Sequence, residues 1–304
     1  MLFLAEHFVR APQWTWYILF YFFFAGLAGG AYLVSTLLRL SGDPRDEPAA
    51  RIGFYIALPA TLICPILLTA DLGVSWIRFW HMLVNVTPGE TSLNFKYWSP
   101  MSVGVWALLV FGFFVFVSAV EAWLSDRRGS PLVPAVINRA FNVVGAVVAI
   151  FIASYTGVLL SVSNQPVWSD TWTLGGLFLA SGLSGSAALI AMVIRNRPAA
   201  SFSLGRLHQA DGYFSVLELA LIIVFFVTVG AAGTLDREIP WLPLWAIAVA
   251  GVAGSLVEAR GHIRMQAAGG SGTTAGIRLD TLVVSLLVLL GVLALRAAVI
   301  FSAQ

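Results

Sequence analysis

Residues 61–106, TLICPILLTADLGVSWIRFWHMLVNVTPGETSLNFKYWSPMSVGVW, contain the pattern that decides the fold. An apolar run ends near an acid, Asp71, an aromatic segment follows, and a second long apolar run begins near Ser99. Continuous apolar runs of this kind are typical of membrane-spanning helices. The stretch therefore predicts the end of one such helix, a surface loop and the start of the next. An ionisable residue inside an apolar span is costly, which makes Asp71 a candidate functional residue.

The composition of the whole chain is that of an integral membrane protein. Of its 304 residues, 59% are hydrophobic and only 11% are charged, whereas soluble domains carry about 25% charged residues. The 17 Lys and Arg residues nearly balance the 15 Asp and Glu residues. This balance leaves no basic field for a nucleic acid, so we expect no nucleic-acid partner.

Apolar runs predict eight helices long enough to cross about 30 Å of hydrocarbon. The runs are continuous rather than alternating, which disfavours the strands of a membrane barrel. We therefore predict an all-α integral membrane protein with a single transmembrane domain over residues 1–304. The predicted helices lie near 14–38, 52–75, 99–124, 140–162, 172–194, 213–235, 241–259 and 278–301.

The basic residues divide unevenly between the two sides of the predicted bundle. One side carries Arg39, Arg45, Arg51, Arg127, Arg128, Arg139, Arg195, Arg197, Arg206, Arg260, Arg264 and Arg278. The other side carries Arg10, Arg78, Lys96 and Arg237. Because cytoplasmic loops are enriched in basic residues, the first side is expected to face the cytoplasm. Both termini and the 76–98 loop then face the periplasmic side of the cytoplasmic (inner) membrane.

Two segments of the chain resemble each other. AGLAGGAYL at 25–33 and SGLSGSAAL at 181–189 share a pattern of small residues and lie in the first and fifth predicted helices. Two four-helix bundles in parallel repeat would explain this similarity. Independent selection of small residues for close helix packing explains it equally well.

The sequence predicts no redox centre within this chain. The single cysteine, Cys64, excludes an iron–sulfur cluster held by the chain's own thiolates. His7, His81, His208 and His262 fall at or beyond the ends of the predicted spans, so no two are expected to ligate one haem iron. We predict no metal site, no haem and no iron–sulfur cluster in this chain. If it transfers electrons, a partner must bring the metal and a diffusible lipid-soluble carrier must take the electrons.

Two ionisable residues lie at similar depth toward the outer side of the predicted spans. Asp71 is about one turn below the end of helix 2, and Arg296 is in helix 8. Buried charges are tolerated when they are paired. We therefore predict a direct or water-bridged contact between Asp71 and Arg296.

Three glutamates lie nearer the opposite side and form a candidate proton path. They are Glu121, Glu218 and Glu258, in helices 3, 6 and 7. Glu218 is the deepest, and Asp211 precedes it by one to two turns. For Glu121 and Glu258 we favour a simpler interpretation, in which the carboxylates reach the interface beside neighbouring arginines. For Glu218, the proton path and the interface position are equally supported by the sequence.

Several aromatic residues of the outer half are candidates for binding a ligand. Tyr155 lies about two turns inside helix 4, where a phenol needs a hydrogen-bond partner or a ligand. Tyr21 in helix 1 is a second candidate. Phe24 and Trp106 are candidates for an apolar entrance, although aromatic residues at helical spacing usually serve packing.

The loop at 76–98 is rich in large apolar side chains and poor in charge. Its members are Trp76, Phe79, Trp80, Met82, Leu83, Phe95, Tyr97 and Trp98. Such groups outside the hydrocarbon either lie among lipid head groups or meet a protein partner. We favour a docking surface for a partner.

These segments together resemble the NrfD-like family, the membrane subunits of polysulfide-reductase-type complexes. The resemblance rests on GLAGGAYL in helix 1, LLTADLGVSWIRFWHML and SPMSVGVWALLVFG around the loop, YTGVLL in helix 4, LFLASGLSGSAAL in helix 5 and the helix that carries Arg296. The motifs occur in the family's order along nearly the whole chain.

The resemblance implies a subunit without its own cofactor and a quinone or quinol site (menaquinone or ubiquinone) near the outer face. It implies as partners a four-cluster iron–sulfur subunit and a molybdopterin-containing catalytic subunit. In the polysulfide-reductase members, a tyrosine of helix 4 and polar residues of helix 1 line the quinone pocket. The tyrosine position matches Tyr155, whereas helix 1 here offers Tyr21 and Ile18 in place of side chains such as His and Asn.

We therefore expect a subunit that exchanges electrons and protons between the quinone pool and an iron–sulfur partner. Tyr155 is expected to donate to the quinone head group, with Tyr21 as a weaker second donor. Asp71 is expected to carry protons and Arg296 to keep it partly charged. A secondary transporter or ion channel, or a pure membrane anchor without quinone chemistry, are the alternatives.

Overall fold

A computed structural model of the chain describes residues 10, 12–89, 92–267 and 280–304. These residues contain eight helices long and apolar enough to cross a membrane, which confirms the predicted all-α membrane fold. The helices are α1 (Trp16–Leu40), α2 (Glu47–Asp71), α3 (Pro100–Arg128), α4 (Ala135–Ser161), α5 (Leu174–Ile194), α6 (Leu204–Ala232), α7 (Leu242–Ala267) and α8 (Thr281–Ser302).

Several helix ends are set by local chemistry that the sequence shows. The Thr15 side chain accepts a hydrogen bond from the Tyr17 amide at the start of α1, and Asp280 does the same for Leu282 at the start of α8. These side chains satisfy amides that the helix itself leaves unpaired. Gly129 ends α3 with a φ of 68°, a left-handed conformation that glycine adopts without steric cost.

The largest difference from the predicted bounds is the start of α6. This helix begins at Leu204 rather than near 213. Its first turns contain His208, Asp211 and other polar residues, which lower the hydropathy of the segment. These side chains face the protein interior, so the segment is part of the helix although its low hydropathy predicts a connection between helices.

The centre of the molecule is the contact between α1 and α5. A side chain at Gly30 would collide with the Gly182 carbonyl and the Ser186 hydroxyl, so the two backbones approach closely because these positions are small. Ser186 Oγ donates a hydrogen bond to the Leu27 carbonyl at 3.0 Å. The two similar segments thus face one another across this contact.

The packing supports two four-helix halves in parallel repeat. In the first half α1 packs against α2 and α4, and in the second half α5 packs in the same way against α6 and α8. Facing of the similar segments at the α1–α5 contact is what a two-fold axis along the membrane normal requires. Convergent packing alone does not require equivalent neighbours in both halves.

The two ends of the bundle differ in their chemistry. We call the end with Leu40, Glu47, Arg128 and Ile194 the arginine side, because most basic residues lie there. The opposite end, the loop side, carries the segment between α2 and α3. This segment forms a 3₁₀ helix over Gly73–Met82 and an antiparallel bridge between Val84 and Leu93.

Candidate functional site

Three polar side chains of the first half gather at one depth near the loop side. They are Tyr21 on α1, Cys64 on α2 and Tyr155 on α4, and both Tyr155 and Cys64 lie within electrostatic range of the Tyr21 hydroxyl. At 1.5 Å per residue, each lies about 8–10 Å from the loop-side end of its helix. Because these helices run parallel or antiparallel to one another, the three residues lie at the same depth in the bundle, which we call a layer.

Tyr155 is held in place by α3. Its hydroxyl donates a hydrogen bond of 2.5 Å to the Pro100 carbonyl, in the first turn of that helix. Its ring occupies the space in which a side chain at Gly104 would lie. Phe151 stacks on the ring with 5.5 Å between centroids. The Tyr155 hydroxyl therefore donates its hydrogen bond within the protein and links α4 to α3.

The Tyr21 side chain is buried, but its hydroxyl forms no hydrogen bond with the rest of the described chain. The side chain is 5% exposed, and no hydrogen bond among the described residues involves its hydroxyl. The Cys64 thiol donates instead to the Ala60 carbonyl of its own helix. Because this hydroxyl is not among the fully enclosed polar atoms that lack a partner, it lies at the accessible edge of the layer, where it can donate to a ligand with a carbonyl oxygen.

Asp71 lies at the surface end of α2 and does not contact Arg296. It is exposed and accepts a 3.4 Å hydrogen bond from the hydroxyl of Thr15, which begins α1. It ends its helix about 10 Å nearer the loop side than the Cys64 layer. The predicted Asp71–Arg296 contact is wrong, because Asp71 ends α2 at the surface, whereas Arg296 lies about 9 Å inside α8 and is bonded to α1 and α5.

Arg296 lies fully buried where α1, α5 and α8 meet. Its guanidinium donates to the carbonyls of Phe22 (3.2 Å), Phe178 (3.1 Å) and Val292 (3.2 Å) and to the Ser181 hydroxyl (2.9 Å). A side chain at Gly26 would collide with it, so that glycine makes room for the guanidinium. These contacts join the two halves of the bundle.

The carboxyl group of Glu218 lies within electrostatic range of Arg296, although no ion pair joins the two among the described residues. It is 2% exposed, and its charge acts on Arg296 across the interior of the second half. It lies 14 residues from the start of α6 at Leu204, which is about 21 Å and places it near the middle of the membrane. Glu218, rather than Asp71, is therefore the acid that interacts electrostatically with Arg296.

The buried face of α6 forms a polar line from the arginine side toward Glu218. Ser184 Oγ donates to Asp211 at 2.6 Å, and the Ser215 hydroxyl contacts Ser184 at 3.2 Å and Ser255 at 2.9 Å. Positions 208, 211, 215 and 218 recur at helical spacing of three and four residues, so they share this face. We call His208, Asp211, Ser215 and Glu218 the α6 polar line.

The polar line begins at an ion pair that sequence reasoning missed. His208 Nδ1 lies 3.4 Å from one carboxylate oxygen of Glu258, and the other oxygen accepts a 2.7 Å hydrogen bond from Thr281. His208 lies in the second turn of α6, near the arginine-side end of that helix. The signal was present in the three-residue spacing of His208 and Asp211, but the low hydropathy of the segment hid it. His7 and the side chain of His262 lie outside the described residues.

Glu121 and Glu258 are buried inside the bundle and do not extend to water, which corrects the simpler interpretation. Glu121 is 7% exposed; it pairs with Arg39 at 3.0 Å and accepts a hydrogen bond from Ser125. The side chain of Glu258 is 8% exposed. Both carboxylates find cations or donors inside the bundle, so neither needs to reach water.

Arg39 connects Glu121 to a wider buried network of the first half. Its guanidinium also bonds Glu47 at 2.8 Å and Asn142 at 3.0 Å. Asn142 in turn donates to Ser118 at 2.9 Å. With several partners fixing Arg39, this network braces the arginine side of the first half.

The two expected entrance residues lie in different surroundings. Trp106 donates its indole N–H to the Asn94 carbonyl at 3.3 Å and so ties α3 to the loop-side segment. Phe24 lines a membrane-facing groove between α2 and α5. A second cleft, of about 420 Å³, lies next to Asp71 between α2 and the 3₁₀ helix, where Pro65, Trp76 and Phe79 line it.

The chain matches known proteins along most of its length. The family model described as polysulphide reductase, NrfD, matches residues 4–257. A polysulfide reductase polypeptide of Wolinella succinogenes is 26% identical over 311 residues, which cover 96% of this chain and 94% of that protein. Protein NrfD of Escherichia coli K12 is 26% identical over 73% of each protein. One of the selenate reductase subunits of Mesobacillus selenatarsenatis is 26% identical over 38% of this chain and 24% of that protein.

Proposed function

The chain belongs to the NrfD polysulphide reductase family, and on that premise we propose that it exchanges electrons and protons between membrane quinone and an iron–sulfur partner. It would be the membrane subunit of a reductase complex whose catalytic subunit contains molybdopterin. The observation that carries the proposal is the Tyr21 hydroxyl, which makes no hydrogen bond among the described residues, is not fully enclosed and lies in one layer with Tyr155.

The residues of this layer fit the head group of a quinone. A bound quinone supplies two-electron, two-proton chemistry at its two carbonyl oxygens. Tyr21 is the first donor to such an oxygen, because its hydroxyl proton is not bound within the protein. Tyr155 becomes a donor only when it leaves the Pro100 carbonyl. In the bonded state it positions α3 against α4 and forms one wall of the layer.

Asp71 acts at a distance from the head group in this proposal. It lies about 10 Å toward the loop side of the layer, is exposed and is bonded to Thr15. A carboxylate at this place exchanges protons with water and with hydroxyl groups near the layer. Arg296 has no part in this step, since its donors are bound to α1, α5 and α8.

A matched pair of tyrosine variants tests the quinone site. Tyr21→Phe removes one hydroxyl from the layer, and Tyr17→Phe removes one from an exposed position one turn earlier on the same helix. In the purified complex we expect Tyr21→Phe to lower quinone-linked turnover by about tenfold or more, as for the loss of a hydrogen bond to a ligand. Tyr17→Phe should match the parent. Equal quinone kinetics in all three proteins would remove Tyr21 from the site.

The loop side is the proposed docking surface for the iron–sulfur partner. Trp76, Tyr97 and Trp98 are all more than half exposed there. Large aromatic groups clustered outside the hydrocarbon are typical of protein interfaces. The concentration of basic residues at the other end supports a periplasmic loop side by the positive-inside rule. Co-purification tests this proposal: iron–sulfur absorbance should accompany the chain and be lost when Trp76 and Trp98 are replaced by Ser.

The α6 polar line is the proposed route for protons from the arginine side. It leads from His208 and Glu258 through Asp211 to Glu218, beside Arg296. Arg296 donates to the carbonyl of Phe22, which follows Tyr21 on α1. The α6 polar line therefore ends beside a residue that contacts α1, the helix that carries Tyr21. Glu121 lies on a different network and is fixed by Arg39, which favours a bracing role for it.

Vesicles that contain the complex test this route. Proton uptake from the arginine side would make quinone turnover generate a membrane potential, because charge then crosses part of the bilayer. Glu218→Gln should reduce that potential while turnover continues, and Asp126→Asn, at an exposed position on the same side, should not. An undiminished potential in Glu218→Gln would exclude Glu218 from the route. A stable metal-free chain that transports a solute by itself would instead support the transporter alternative.

A further inference from the structure

A groove of about 320 Å³ runs along the membrane-facing surface where α2 and α5 lie side by side on α1. Phe24 of α1, Pro59 and Ile63 of α2 and Val193 of α5 line it, and Arg197 lies at its arginine-side end. The groove exists because α2 and α5 both pack on α1 but make few contacts with each other. Apart from Arg197, Tyr55 is the one side chain with a polar group among its lining residues.

The length of the groove matches one leaflet of a bilayer. Its α2 wall extends from Ile52 to Ile63, which is about 17 Å along the helix. Half of the hydrocarbon thickness is about 15 Å. The groove therefore begins at the interface of the arginine side and ends near the middle of the membrane. A single acyl chain of that leaflet has this position and this extent.

The charge at the interface end of the groove lacks a counter-ion. Arg197 is exposed, and no ion pair within the described part of the chain involves its guanidinium. The acid nearest the other wall, Asp126, is already paired with Arg51 and accepts a hydrogen bond from Tyr55. An unpaired guanidinium at head-group level is complementary to a phosphate.

We propose that this groove binds an anionic phospholipid of the arginine-side leaflet, with one acyl chain along α2 and the phosphate at Arg197. A quinone fits these observations less well, because its head group is uncharged and gains nothing from a cation at the interface end. Basic groups between membrane helices are a known way to select acidic lipids. The inference does not depend on the quinone chemistry proposed above.

Lipid binding to the purified complex tests the proposal. Delipidated complex is titrated with phosphatidylglycerol and with phosphatidylcholine of the same acyl chains, and bound lipid is counted by native mass spectrometry. We expect phosphatidylglycerol to bind about fivefold more tightly, the effect of one arginine near the surface. Arg197→Gln should remove this preference. Arg128→Gln, at an exposed position on the same side and outside the groove, should keep it.

A second variant tests the acyl-chain part of the groove. Val193→Trp fills the groove beside α5 and should weaken both lipids equally, since it obstructs the chain rather than the head group. Equal affinities for the two lipids in the parent complex would overturn the proposal. So would an unchanged preference in Arg197→Gln, or displacement of the bound lipid by quinone at equal concentration.

Discussion

The replacement of Arg296 by Met is the most informative perturbation of this structure. The guanidinium makes four hydrogen bonds to α1, α5 and α8. Three of them join α8 to α1 and α5, and hydrogen bonds between membrane helices contribute about 0.6 kcal/mol each on average, so their loss costs about 2 kcal/mol. The variant also leaves Glu218 buried without its cation, which adds about 1–3 kcal/mol. We expect a total loss of about 3–5 kcal/mol, as for other broken buried pairs.

The double variant Arg296→Met with Glu218→Gln separates these two contributions. If Glu218 is the counter-charge of Arg296, removal of its charge restores about 1–3 kcal/mol relative to Arg296→Met alone. The free energies of unfolding are measured for the parent, both single variants and the double variant in mild detergent with increasing SDS. Asp71→Asn combined with Arg296→Met serves as the control, because Asp71 does not contact Arg296.

Two results would refute this reasoning. Strict additivity of Arg296→Met and Glu218→Gln would show that the two charges do not interact. Coupling between Asp71→Asn and Arg296→Met above about 0.5 kcal/mol would show that the contact expected from sequence forms after all.

Three further predictions concern other parts of the bundle. Gly30→Val should destabilise the protein by about 1–3 kcal/mol, because the new side chain meets the Gly182 backbone, whereas Gly112→Val faces open space and should cost much less in the same SDS titration. Glu121→Gln should lower the unfolding free energy by about 1–3 kcal/mol, because it leaves Arg39 short of a buried partner. A loss as small as that of an exposed surface pair would contradict this. Tyr155→Phe should cost about 1 kcal/mol of stability and weaken quinone turnover while the complex still assembles, because only the bond to Pro100 is lost. Unchanged stability together with unchanged quinone kinetics would show that this hydroxyl serves neither role.

The candidate site shows how far sequence reasoning reached. Residue counting gives depth only as well as the helix ends are known. Tyr21 and Tyr155 lie in the loop-side half as expected, whereas Asp71 ends α2 and was expected one turn deeper. Which side chain each residue meets depends on helix rotation and on the choice of neighbouring helices. Asp71 and Arg296 were expected at similar depth, yet Asp71 bonds Thr15 at the end of α2 and Arg296 bonds α1 and α5 about 9 Å inside α8. The same limitation misplaced Glu121, whose partner Arg39 is 82 residues away in sequence.

The sequence by itself determined the eight apolar spans, the uneven distribution of arginines and the family. These are properties of local segments: the free energy of placing about 20 residues in hydrocarbon depends on their own side chains. The tertiary structure alone decided the bonds of Arg296 to α1 and α5, the α6 polar line and the groove that ends at Arg197. Within the bilayer every span is apolar, so hydropathy does not say which helices are neighbours. Small residues such as Gly26 and Gly182, together with a few buried polar groups, select those neighbours by close packing and hydrogen bonding.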